Sequence, residues 1–356
     1  MANLGTFLTM LLVFIQLVWS KNLKKFSFLL LVDTLIFSLL INSGCFLKTG
    51  NLVLDYEEFL LILYILVTII NGGLNKIRSS LLKGSFILLF IAIVGIFLLI
   101  VNPNKMTVMP VGGSWDAYYS GRIELIPLEF SIKNVERFIR LFFFIIAIVG
   151  ISNLIKEKKI TQGIIKAIIY ITVIQVALGY LDLVTKLIYN QPVLQSIADS
   201  FFGGVLRLEF IPVRANAVFI QGLMQEPSHY AVSFIPGLTI LALSSKKKIK
   251  FTLLKVSAIL ILFLSGSFLG AGIITYWLML TIYKSIFKSK YMKGISISLV
   301  FGLTLIIVSI VGLLTEVIPL LNYYTSRLFG LVGFGPITGS EGVRLLSITK
   351  ALESFA

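Results

Sequence analysis

Four polar side chains recur at helical spacing in the stretch GLMQEPSHYAVSF, residues 222–234: Glu226, His229, Tyr230 and Ser233. On an α-helix these positions share one side, which brings a carboxylate, an imidazole, a phenol and a hydroxyl toward one another. A carboxylate or imidazole partly withdrawn from water has its proton affinity moved toward neutrality and can accept a proton from a hydroxyl. The histidine is the only one in the chain. Pro227 suits the first helical position, where its missing N–H would have been unpaired anyway, so the helix starts here and Glu226 sits at its mouth. The same spacing fits a plainer arrangement, with Glu226 as a helix cap and His229 and Tyr230 as interfacial residues.

Arginines form the second chemical group. Arg137 and Arg140 stand three residues apart in NVERFIRLFFFI, on one helical face, with Glu136 beside them as an ion-pair partner. Arg122, Arg207 and Arg214 fall in polar stretches between apolar segments, and Arg327 and Arg344 follow the last one. Each alone reads as a solvated surface residue. Together they suggest a phosphate or pyrophosphate ligand, because guanidinium is always charged and its planar fork matches phosphate oxygens. The acidic run DYEE, Asp55 to Glu58, complements the dipole of a helix starting there or offers oxygens to a divalent metal. One histidine and no other run of carboxylates of this kind argue against a dedicated metal cage.

The elements that must carry these groups are apolar. The chain is 57% hydrophobic and 13% charged, against roughly 45–50% and about 25% in soluble domains. Mean hydropathy is +0.99. These values imply an all-α, polytopic integral membrane bundle, one membrane domain over residues 1–356 with about ten transmembrane helices. The apolar segments run near 4–19, 26–47, 57–74, 84–101, 135–155, 163–189, 227–244, 251–265, 267–287 and 294–318. Between them, KNLKK, NKIRSSLLK, KEKK, SSKKKIK and KSIFKSKYMK fall in alternate loops, which the positive-inside rule assigns to the cytoplasm. Residues 103–134, 190–226 and 319–356 then lie on the outer face, and loops that long are uncommon unless functional.

The orientation puts the N-terminus outside, with the first apolar segment retained as a span rather than cleaved as a signal peptide. LSGS, residues 264–267, reads as a tight outer turn. Asp33 lies about two turns inside the second segment, where an ionisable group is expensive, and it reads either as a packing residue or as a functional one. Lys166 and Lys255 are within snorkelling reach of the cytoplasmic surface. The net charge of +15 is spread over loops and gathers on no polar domain, so nucleic acid is not the partner. Cys45 is the sole cysteine, and no disulfide framework exists.

GLMQEPSHYA resembles the Gly-Leu-Phe-x-Glu-Pro-Ser-His-aromatic-Ala signature of bacterial polysaccharide repeat-unit polymerases, the Wzy-type enzymes of O-antigen and capsule synthesis. LSGSFLGAGIITY, residues 264–276, is similar to the Leu-Ser-x-Ser-x-x-Gly opening of that family's following span. SEGVRLLSITKALESF, residues 340–355, is similar to the arginine-bearing amphipathic segment of its large outer loop. The resemblance covers residues 220–355, and the first half matches only in its membrane pattern. Family members often carry an arginine just before the glycine of the signature, and the nearest arginine here is Arg214. Similar proteins continue past the position of Ala356, so the resemblance implies a fragment or a shortened member.

The resemblance implies an inverting, metal-independent glycosyltransferase in the bacterial cytoplasmic (inner) membrane, with its site facing outside. The donor would be a glycan on polyprenyl pyrophosphate, and the acceptor a hydroxyl of another lipid-linked repeat unit. No cofactor is implied, and the implied partners are that lipid-linked oligosaccharide, membrane lipid and a chain-length regulator. Glu226 or His229 would serve as the base, the other supporting it or contacting phosphate. Arg344, Arg214, Arg207, Arg140, Arg137 and Tyr230 would bind substrate and the departing pyrophosphate. Three alternatives remain: an O-antigen ligase with the same donor, a lipid-linked oligosaccharide flippase, and a membrane scaffold without chemistry. A flippase would place its charges at the bilayer midplane between repeated halves, whereas these polar residues gather toward the outer face and no halves repeat.

Overall fold

The computed structural model describes residues 3–41, 44–49, 52–71, 79–101, 106–110, 123–127, 130, 132–189, 191–203, 213–214, 217–224, 226–243 and 249–287. The elements are α1 (Leu4–Ser20), α2 (Leu23–Leu40), β1 (Cys45–Thr49), β2 (Leu52–Asp55), α3 (Tyr56–Ile70), α4 (Ser79–Val101), β3 (Met106–Pro110) and β4 (Ile123–Pro127). They continue as α5 (Ile132–Leu154), α6 (Lys158–Tyr189), α7 (Val193–Phe202), β5 (Val213–Arg214), β6 (Ala217–Val218), α8 (Pro227–Ser233), α9 (Ile235–Leu243), α10 (Ile249–Leu264) and α11 (Phe268–Phe287). Every apolar segment through residue 287 contains a helix, while the one at 294–318 lies outside the described residues. Among the described residues, α6 is the one helix long and apolar enough to cross a membrane by length and composition. Shorter apolar helices are Leu4–Ser20, Gly84–Phe97, Pro227–Leu243, Phe251–Leu264 and Leu269–Thr281.

The fold is not purely α. Three antiparallel hairpins, β1–β2, β3–β4 and β5–β6, interrupt the helices. In the first, Thr49 pairs with Leu52, leaving Gly50 and Asn51 between the strands, residue types that two-residue hairpin connections favour. The apolar run 26–47 therefore ends its helix at Leu40 and gives its last residues to β1. Continuous hydrophobicity does not separate a helix from a short strand; the turn residues do. The segment 227–244 is likewise two helices. Pro236 lacks the N–H that would bond back to Val232, and the chain tightens at Phe234, whose N–H donates to Ala231 O.

The chain divides by contact into two compact units, residues 1–76 with 150–310, and residues 77–149 with 311–356. In the second, β3 and β4 pair in unbroken register from Met106 opposite Pro127 to Pro110 opposite Ile123. The hairpin falls inside the stretch expected to be the first long outer loop.

In the first unit, α6 packs against α2, α7, α9 and α10. Its buried stripe is Ile171, Thr172, Gln175, Val176, Gly179, Asp182 and Lys186, spaced by three and four. Much of that inward stripe is polar or glycine. The outward side carries Val173, Ile174, Leu181, Val184, Leu187 and Ile188, all exposed. This polarity is the reverse of a surface helix in water, which turns its apolar stripe inward.

The two ends of this unit are held differently. At one end, the Asn3 side chain donates to Cys45 O at 2.9 Å and to Phe202 O at 2.7 Å, and accepts from the Tyr56 hydroxyl. One asparagine thus joins the starts of α1, β1 and α3 to the end of α7. At the other end, Lys24 pairs with Glu157, so the lysine-bearing connections KNLKK and KEKK meet. Within the stretch 190–226, expected to be an outer loop, α7 buries Leu194, Gln195 and Ala198 and ends at Gly203, whose φ of +64° suits glycine. Asp33 is buried in α2, and its Oδ2 has no hydrogen-bond partner among the described residues.

Candidate functional site

The residues leading into Glu226 run through the core. Phe219, Ile220 and Met224 are buried, and Ile220 N donates to Leu264 O at 3.4 Å, so this segment lies beside the turn between α10 and α11. That turn is Ser265–Gly266–Ser267, the tight turn expected at LSGS. Gly266 has a φ of +63°, and a Cβ there would collide with the Phe219 ring. Two of the three blocks that carry the family resemblance, far apart in sequence, are thus neighbours in space, while the third, residues 340–355, lies outside the described residues.

A buried carboxylate holds the segment. Asp182 Oδ2 accepts from Gln221 N at 2.8 Å, from Gly222 N at 3.1 Å and from Lys186 Nζ at 2.9 Å. Its Oδ1 accepts from Gln195 Nε2 at 3.1 Å. Lys186 Nζ also donates to Phe219 O at 3.0 Å, and Gln195 Nε2 also donates to Gly222 O. Asp182 and Gln195 are fully buried and Lys186 is 4% exposed. An ion pair so far from water persists only when extra hydrogen bonds satisfy the remaining polar groups, and here the backbone from Phe219 to Gly222 supplies them. The chain then turns, with Met224 N donating to Gln221 O at 2.9 Å and Gly222 at φ +58°. A Cβ on Gly222 would come within 2.7 Å of the Tyr230 ring.

Glu226 follows as the N-terminal flanking residue of α8, with extended backbone at φ −137° and ψ 147°. Its main chain starts the helix, since Tyr230 N donates to Glu226 O at 3.1 Å. Its carboxylate makes no capping bond to the first turn and instead accepts from Ser228 Oγ at 3.1 Å. Glu226 thus occupies the helix-cap position, as the plainer reading has it, but through its main chain and not its carboxylate. Ser228 and His229 are partly buried beside it, and His229 Nδ1 has no hydrogen-bond partner among the described residues.

The polar stripe read from spacing is divided. Glu226 and His229 stay near the surface, while Tyr230 and Ser233 turn into the core against α6. The Tyr230 hydroxyl donates to Gln175 O at 2.6 Å, and Gln175 Nε2 donates to Ser233 Oγ at 2.6 Å and to Leu39 O at 2.7 Å. Tyr230 is 2% exposed, so in this conformation it packs in the core rather than offering a surface to a substrate. A seven-residue helix offers two sides, and the bulkiest side chain takes the one facing its neighbours.

The arginines are not all in reach of description. Arg214 pairs its backbone with Ala217 in the small hairpin just before Phe219. Arg137 is exposed on α5, and Arg140 binds Glu136 at 2.6 Å one turn away, both in the other unit. Arg122, Arg207, Arg327 and Arg344 lie outside the described residues. In DYEE, Glu58 accepts from Asp55 N at 3.3 Å at the start of α3, the geometry of a helix start. Among the described residues no three His, Cys, Asp or Glu side chains gather as metal ligands would.

Asp182, Lys186, Gln195 and Gln175 escape a reading by motif. The available signal is an acid four residues before a base inside an apolar run, the favourable order for a helical ion pair. No family model, curated protein or solved structure matches the chain.

Proposed function

We propose that this chain is a polytopic membrane glycosyltransferase that lengthens a lipid-linked polysaccharide by whole repeat units at the outer face of a bacterial cytoplasmic membrane. The observation that carries the reading is a turn braced by Asp182 that leads directly into Glu226 at the start of α8, with the half-buried His229 in that helix's first turn. The resemblance of GLMQEPSHYA to the repeat-unit polymerases supplies the reaction class. The reversed polarity of α6 supports a lipid surrounding, where polar and small residues pack inward and apolar ones face the hydrocarbon.

In this reaction a hydroxyl oxygen of the acceptor sugar attacks the anomeric carbon of the donor glycan. The bond from that carbon to the pyrophosphate oxygen breaks, its electron pair leaves with polyprenyl pyrophosphate, and the hydroxyl proton passes to Glu226 or His229. A single displacement inverts the anomeric carbon. The departing pyrophosphate needs fixed positive charge more than a proton, which arginines such as Arg344, Arg214, Arg207, Arg140 and Arg137 supply.

The test uses purified protein with a lipid-linked repeat unit, comparing wild type with Glu226→Gln and Arg344→Ala on a glycan gel, one arm containing chelator. The reading expects a ladder spaced by one repeat, lost in both variants and indifferent to chelator. An unaltered lipid-linked unit that folded wild-type protein moves across liposomes overturns the polymerase in favour of a flippase.

A further inference from the structure

We infer that Asp182, Lys186 and Gln195 form a positioning clasp that sets the conformation from which Glu226 and His229 act; what the positioned groups then do rests on the polymerase reading above. The three residues come from α6 and α7, yet their side chains bond three residues, Phe219, Gln221 and Gly222, of a third segment. Phe219 offers its carbonyl, Gln221 and Gly222 their N–H groups, and Gly222 its carbonyl as well. Every one of these bonds reaches main chain, so the clasp fixes backbone conformation and is indifferent to the side chains it holds.

Glu226 lies four residues past Gly222, after a turn closed by the Met224 N–H on Gln221 O. A shift of the Gln221–Gly222 peptide carries the turn and the mouth of α8 with it. The clasp is also placed to be rigid. Asp182 sits on the longest helix described, and its partners on that helix and on α7 are buried, leaving no solvent to compete for the bonds. A buried ion pair needs extra hydrogen bonds from some source, and here that source is the main chain of the segment, so satisfying the charges and fixing the segment are one set of contacts. Here Asp182 Oδ2 spends two of its three on N–H groups of the segment.

The experiment separates positioning from charge balance. The full chain is purified as wild type, Asp182→Asn, the double variant Asp182→Asn/Lys186→Met, and Gln195→Leu. Amide hydrogen exchange is followed by mass spectrometry on the peptide spanning 218–226 and on a control peptide from α2. Repeat addition is measured in parallel, with kcat and KM for the lipid-linked unit taken separately.

The clasp predicts exchange roughly ten- to a hundred-fold faster in peptide 218–226 for Asp182→Asn and for the double variant, with the α2 peptide unchanged. It predicts a fall in kcat of roughly a hundred-fold at unaltered KM, because misplacement of about 1 Å is enough for that loss. Gln195→Leu shows the same pattern in smaller degree. Where Asp182→Asn fails to fold, the double variant carries the test, since removing both charges leaves neither buried alone. A purely charge-balancing role returns exchange and kcat to wild type in the double variant, and that result overturns the inference. So does faster exchange with kcat intact. If wild-type protein makes no ladder, the polymerase reading fails, and the exchange arm alone decides whether the clasp holds the segment.

Discussion

The Tyr230 hydroxyl donates to the Gln175 carbonyl at 2.6 Å, fastening the first turns of α8 to the middle of α6. One turn further along α6, Gly179 leaves the space that the hydroxyl occupies, and a Cβ there would strike it. A helix of seven residues is thereby held in a fixed rotation, with Tyr230 in the core and Glu226 and His229 half-buried. Tyr230→Phe keeps the ring and removes one hydrogen bond, so it costs about 0.5–1.5 kcal/mol. Its thermal midpoint falls slightly and, on the proposed polymerase reading, KM for the lipid-linked unit stays at the wild-type value. A raised KM with unaltered stability would restore Tyr230 as a substrate contact.

Gly222 answers to a sharper constraint. Its φ of +58° is disfavoured for any residue with a Cβ, and the added atom would also press on the Tyr230 ring at 2.7 Å. Gly222→Ala is expected to destabilise by about 1–3 kcal/mol through backbone strain alone. Thermal unfolding of the purified variant checks this. An alanine tolerated without loss would mean that the turn at Gln221–Met224 adopts another conformation.

Orientation is open to a labelling experiment because Cys45 is the only cysteine. In a Cys45→Ala background, Leu47→Cys lies in an exposed position of β1, near the end joined by Asn3. Lys25→Cys lies near the end joined by Lys24 and Glu157. If the chain spans the membrane as proposed, a membrane-impermeant maleimide applied to intact cells should label the first and reach the second only after permeabilisation. The opposite pattern would invert the membrane orientation and put Glu226 on the cytoplasmic side.

The Lys24–Glu157 pair itself should contribute little. Both side chains are nearly half exposed, at 44% and 47%, and pairs of this kind are worth roughly 0–1 kcal/mol. Glu157→Gln is therefore expected to leave the thermal midpoint almost unmoved, and the small difference should vanish in high salt. A large, salt-resistant loss would show that the contact is a structural lock.

Arg137 and Arg140 should separate on substitution. Arg140 already binds Glu136 one turn away at 2.6 Å, whereas Arg137 is exposed. If α5 helps to bind pyrophosphate, Arg137→Ala raises KM for the lipid-linked donor more than Arg140→Ala does. Equal KM values for both variants and wild type would leave α5 no part in donor binding.

Several features were legible without coordinates. The apolar runs locate helices, because a run long enough to bury its backbone polar groups has few alternatives. Glu-Pro-Ser marks the start of α8 and Leu-Ser-Gly-Ser marks the turn into α11, each through the backbone limits of proline or glycine. The hairpin β1–β2 was missed, since an apolar stretch continuous with a helix hid the change of period.

What the amino-acid sequence determined by itself is local: where helices begin and break, which loops carry lysine, and that Glu226 and His229 stand together at a helix start. Tertiary structure alone decided which side of each helix faces inward. In a chain whose outer surfaces are as apolar as its core, periodicity no longer tells the two apart, and rotation is set by the few polar groups that must find partners. Asp182, Lys186 and Gln195 find theirs in the backbone from Phe219 to Gly222, so a contact between distant segments, invisible in any local motif, settles where Glu226 comes to rest.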